Sequence, residues 1–128
     1  MPRKVKSGLI QMSLPKTEGE GTIPEIIDAM VQKHIPYIEK AGQQGVQILC
    51  LQEIFNTPYF CPGQDRKWYE SAESVPGPTT ELMQTYAKKY NMVIIVPVYE
   101  RAMRGVYFNT AATTYERFGC NQDNRIRL

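Results

Sequence analysis

Glu53 closes the run ILCLQE, where three aliphatic residues and Cys50 give way abruptly to a carboxylate. A glutamate at the mouth of a buried strand suits general-base work, because desolvation there raises its proton affinity toward neutrality. The same position also describes the first exposed residue of an ordinary loop. Few other residues offer chemistry. Cys50, Cys61 and Cys120 fit no zinc-ligand spacing, and a single histidine, His34, excludes a histidine-rich metal site. Cys50 lies within the apolar run, where a thiol packs rather than reacts, and Cys61 follows on a loop with no cation placed beside it. These residues offer no zinc motif and no histidine-rich metal site.

The elements that must hold Glu53 follow from the spacing of apolar residues. VKSGLIQMSL (5–14) predicts a first strand, and KTEGEGT (16–22) a glycine-rich loop. Between Pro24 and Ala41, the positions Ile27, Met30, Val31, Ile35 and Ile38 mark one face of an amphipathic helix. His34 falls on that face as a packing residue. Pro36 removes a backbone donor, which predicts a kink or a change of helical segment. VQILCL (46–51) reads as a strand buried on both faces, and the long connection after Glu53 ends where Pro78 opens a second helix. MVIIVPVYE (92–100) is a further buried strand in which Pro97 predicts a bulge or an end. A turn in ERAMRGVYF leads to a strand over VYFNTAATTY (106–115), and the polar run RFGCNQDNRIRL shows no clear period. The order β-α-β-α-β-β indicates an α/β layered protein, thinly covered by two helices.

Composition bounds the function. In 128 residues, 42% are apolar and 22% charged, which excludes a disordered or collagen-like chain. The net charge is +2 with no basic block, so no nucleic-acid partner is expected, and MPRKVK reads as a solvated tail. No apolar run approaches the roughly 18 residues of a membrane span. No secretory apolar region opens the chain either, so a cytoplasmic protein with reduced thiols is expected. SLPKTEGEGT lacks the glycine spacing of a nucleotide-binding loop.

The series GLIQM, QILCLQEIFNTPYF, GPTTELMQTYAKKYNMVIIVPVYER and YFNTAA resembles, in order and spacing, the N-terminal half of the nitrilase superfamily of carbon–nitrogen hydrolases. The branch it resembles most is that of β-ureidopropionase and N-carbamoyl-amino-acid amidohydrolases. The resemblance implies an α/β fold, an incomplete four-layer α-β-β-α sandwich, with residues 1–112 as the N-terminal part of the hydrolase domain and 113–128 as a divergent tail. It implies cofactor-free hydrolysis of a small-molecule amide or ureido acid, in a homo-oligomer, by a Glu-Lys-Cys triad. Glu53 matches the glutamate, general base to the thiol and then to water. Tyr59 and Phe60 match a loop near the substrate pocket. The family's lysine and nucleophilic cysteine find no match here, since no lysine follows Lys89 and no proline follows Pro97. Cys120 does not sit in the family's nucleophile context. The expectation is a truncated hydrolase, inactive alone, or else a non-catalytic module that associates with full-length hydrolase subunits.

Overall fold

A computed structural model describes residues 3–115 and 119–127; within 119–127 the only side chain described is that of Arg125. The order is β1 (Ser7–Ile10), α1 (Ile23–Gln43), β2 (Ile48–Leu51), α2 (Pro78–Tyr90), β3 (Val93–Met103), β4 (Val106–Tyr115) and β5 (Gly119–Arg127). Two short 3-10 turns, Cys61–Gly63 and Arg66–Ser71, lie between β2 and α2. The five strands form one sheet in the order β1-β2-β3-β4-β5, parallel from β1 to β3 and antiparallel from β3 onward.

Because β1, β2 and β3 advance in one direction and in sequence order, crossovers of one hand deliver α1 and α2 to the same face of the sheet. One core cluster therefore joins Val31 and Ile38 of α1, Met83 and Ala87 of α2, Leu49 and Leu51 of β2, and Ile94, Val96 and Val98 of β3. Among the described residues the opposite face carries no α-helix. Leu9 is 86% exposed there and Ile48 38%, so β2 alternates instead of being buried on both sides as its composition predicts. The sequence shows how apolar β2 is, while the burial depends on where both helices land.

Local chemistry explains the helix limits. Thr22 caps α1: its hydroxyl accepts from the Glu25 amide at 3.4 Å, and the Glu25 carboxylate accepts from the Thr22 amide at 2.7 Å. At α2, Gly77 takes the cap position before Pro78, and a Cβ on it would lie 2.1 Å from the Ser74 carbonyl oxygen, so only glycine fits. Pro36 does not divide α1, which remains one α-helix of 21 residues. Burial of Met30, Val31, His34 and Ile38 on one face offsets the lost bond.

Pro97 does not end β3. Its carbonyl accepts from the Phe55 amide at 3.2 Å, on the side where β2 has already stopped. The amide and carbonyl of one strand residue point the same way, so the missing N–H costs the β4 ladder nothing. The register shift falls later, between Arg101 and Met103. The polar run at the end pairs with β4 as β5, from Tyr115↔Gly119 to Phe108↔Arg127.

Candidate active site

The core strand β2 is short, and β3 and β4 run past its end. Glu53 sits in the notch this leaves. Gln52 ties the strand end to the chain leaving β1, its side-chain oxygen accepting from the Met12 amide at 2.6 Å. Glu53 Oε1 accepts from Asn109 Nδ2 of β4 at 2.6 Å. Asn109 pairs directly with Tyr99, whose neighbours Val98 and Glu100 point to the helices, so Glu53 is held on the helix-free face. The desolvation expected of Glu53 is absent, because its side chain is exposed on that uncovered face.

The turn after Glu53 is strained and firmly held. Ile54 has φ 44°, left-handed backbone that a β-branched residue rarely adopts, at a cost of about 1–3 kcal/mol. Burial of Ile54 (3% exposed) and Phe55 (0%) overcomes it, with the Phe55 and His34 rings in a T-shaped contact at a centroid separation of 4.9 Å. His34 Nδ1 bonds the Met30 carbonyl at 2.9 Å; burial lowers the imidazole's proton affinity, and Nε2 has no hydrogen-bond partner among the described residues. Further along, Asn56 Nδ2 approaches the Thr79 hydroxyl at 3.4 Å, and that hydroxyl donates to Glu73 Oε2 at 2.8 Å. Burial pushes the Glu73 carboxyl up from the usual range, partly opposed by the Thr79 bonds.

Beside Glu53 on the same face lies a groove of about 730 Å³. Its walls come from the 60–69 loop and the β3–β4 hairpin. Phe60 stacks on Trp68 at 5.6 Å and leans on Tyr99 at 5.0 Å, while Tyr107 stacks on Tyr99 at 5.4 Å and on Tyr69 at 4.8 Å. Burial, then the neighbouring Tyr69, Tyr107 and Cys61, push the Tyr99 phenol up to about 12, so it stays a neutral donor near neutrality. Phe60 lines the groove, whereas Tyr59 is 69% exposed and does not. Cys61 also lines it, and Cys50 is half-buried within β2. Among the described residues no group of three or more His, Cys, Asp or Glu side chains is placed to hold a metal ion.

The sequence pattern described as Carbon-nitrogen hydrolase matches residues 9–116, from β1 to just beyond β4. The chain belongs to the carbon–nitrogen hydrolase family. It is 43% identical to beta-ureidopropionase of Arabidopsis thaliana over 114 residues, 86% of this chain and 27% of that one. It is 36% identical to N-carbamoylputrescine amidase of Solanum lycopersicum over 76 residues, covering 59% and 25% respectively. It thus spans about a quarter of the length of these carbon–nitrogen hydrolase relatives. Among solved structures, a carbon–nitrogen hydrolase from Helicobacter pylori G27 superposes with TM-score 0.74 at 18% identity, over 96% of this chain and 39% of that one. A nitrilase-superfamily member from Saccharomyces cerevisiae gives 0.59 at 18%, over 79% and 38%. The incomplete α-β-β-α sandwich is therefore the family fold: a helix layer and one sheet layer, whose other face has no second sheet among the described residues and is covered only near Tyr99.

Sequence reasoning passed over Glu100, the one fully buried carboxylate among the described residues. It accepts from the Thr110 hydroxyl at 2.6 Å and pairs with Arg125 Nη2 at 2.7 Å. Alternation from Val96 and Val98 places it inward, and that was the available signal. Its partner lies on β5, which no apolar period announces.

Proposed function

We propose that Glu53 is the general base of a carbon–nitrogen hydrolase site acting on small amide or N-carbamoyl compounds, and that this chain supplies the base and one wall of that site. The observation that carries the reading is the 2.6 Å bond from Asn109 to Glu53, which fixes one carboxylate oxygen and leaves the other for a proton. The chemistry would be acyl transfer. A thiol loses its proton to Glu53 and attacks the carbonyl carbon, and a lysine ammonium stabilises the oxyanion. Glu53 then protonates the departing nitrogen, and water, deprotonated by Glu53, hydrolyses the thioester and frees the thiol.

The thiol and the ammonium have no matching residues in this sequence, so these 128 residues alone are expected to hydrolyse no ureido acid. The proposal extends to a cytoplasmic homo-oligomer, with the unbridged thiols of Cys50 and Cys61 as support for the setting. The test is a graft in which residues 1–115 replace the matching segment of the Arabidopsis beta-ureidopropionase. Hydrolysis should appear, and Glu53→Gln should lower kcat by about 10²–10⁴-fold. Asn109→Ala should lower kcat less and leave KM nearly unchanged, as befits a positioning residue. A graft whose turnover survives Glu53→Gln would refute the assignment.

The bare sheet face, with Leu9 86% exposed, favours a second reading, a non-catalytic module that joins full-length hydrolase subunits. Co-purification with such a subunit, with no change in its turnover, would support that reading over the first.

A further inference from the structure

The groove beside Glu53 has a composition that the general base does not account for. Its volume, about 730 Å³, is that of a small-molecule site. Its walls are mostly aromatic; Trp68 and Tyr99 are buried behind the outer rings, whereas Tyr69 is 49% exposed, and such a wall favours a flat ring over a branched or strongly hydrated body. The charges around it are unequal in their commitments. Asp65 accepts from the Lys67 amide at 3.0 Å and pairs with Lys67 Nζ at 3.3 Å, and Lys67 also pairs with Glu18. Arg66, which lines the groove and is exposed, makes no ion pair among the described residues. A guanidinium with no ion pair among the described residues, beside aromatic walls, is suited to a carboxylate held in a fork of two N–H donors. Rings also attract cations, but Lys67 Nζ already lies 5.5 Å from the centre of the Trp68 ring, and Arg66 would repel a second one.

We infer that the groove formed by Phe60, Trp68, Tyr69, Tyr99 and Tyr107 binds a small carboxylate with a flat ring as its body, and that Arg66 takes the carboxylate. Tyr99 stands directly across the ladder from Asn109, and such partners have Cβ atoms about 5 Å apart, so the groove adjoins the base. Taken with the hydrolase reading of Glu53, on which this step rests, the substrates are ring-bearing amides or ureido compounds with an acid group. The binding itself does not depend on that reading.

Trp68 is the only tryptophan in the chain and is 2% exposed, so its fluorescence reports on this groove alone. Phenylacetate, phenethylamine and propionate would each be titrated into the 128-residue chain. Phenylacetate should give a saturable change, with the amine and the ringless acid each at least about tenfold weaker. Arg66→Gln, at an exposed position, should weaken phenylacetate about tenfold and leave the free chain's emission unaltered. Equal affinity for the amine, an unaffected Arg66→Gln variant or no saturation would each overturn the inference. So would emission typical of a solvated indole, because the groove requires Trp68 to be buried. Hydrolysis by the graft without ring-acid binding would remove the groove and keep the base; binding with an inactive graft would do the reverse.

Discussion

The two faces of the sheet have opposite characters. On the helix side, Ile94, Val96, Val98 and Ala112 are fully buried against α1 and α2, and even the charged Glu100 is enclosed and paired. On the other side, Leu9 and Ile48 meet water, and the same face carries Glu53, Asn109 and the aromatic groove. The helix side fixes where backbone lies; the bare side presents what that backbone holds. Chemistry can collect on the bare side because rigidity is supplied from behind.

Substitutions on the two sides should differ sharply. Met83→Ala, emptying a fully buried site under the sheet, should cost about 2–5 kcal/mol in denaturant unfolding. Arg125→Met comes next. It leaves the Glu100 carboxylate enclosed without its cation, and because Arg125 is a third exposed the loss should be about 2 kcal/mol, below that of a fully buried pair. A loss of about 4 kcal/mol or more would mean β5 holds the sheet together more than its polar sequence suggests.

The buried titrating groups give smaller effects, opposite in sign. Burial lowers the proton affinity of His34 in the fold, so its contribution is complete above about pH 6.5 and is lost below it, by at most about 1.4 kcal/mol per pH unit. Burial raises that of Glu73, whose contribution is complete below about pH 4.3 and falls as pH rises through its folded range. Unfolding midpoints of His34→Leu and Glu73→Gln across pH 4–8 should each remove one slope and leave the other. The smallest effect belongs to the bare face. Leu9→Ser should change stability by no more than about 0.5 kcal/mol, and a larger loss would mean that something covers Leu9 in solution.

Much of the helix side was legible in the sequence. The apolar spacing from Met30 to Ile38, the Pro78 start of α2 and the strand over 106–115 each carry a local signal that the fold obeys. The position of Glu53 at the end of β2 was equally plain. What escaped depends on partners distant in sequence. β5 is a strand because β4 offers it a ladder, and Glu100 is satisfied only through that strand. The aliphatic run of β2 predicts burial on both faces because it does not say on which side the helices will fall. The groove unites a loop with a hairpin whose residues show no common period, so of its walls the sequence marks only Phe60 and Cys61.

The four-residue β2 beside the eleven-residue β3 has a consequence for how such a site can vary. The ladder that fixes Glu53 ends before the hairpin tip at Arg104 and Gly105, which borders the groove. Residues inserted or exchanged at that tip would reshape the groove without moving the register that places the carboxylate. The lining of the groove could then diverge between descendants through a few residues at one turn, while Glu53 remained where the parallel strands put it.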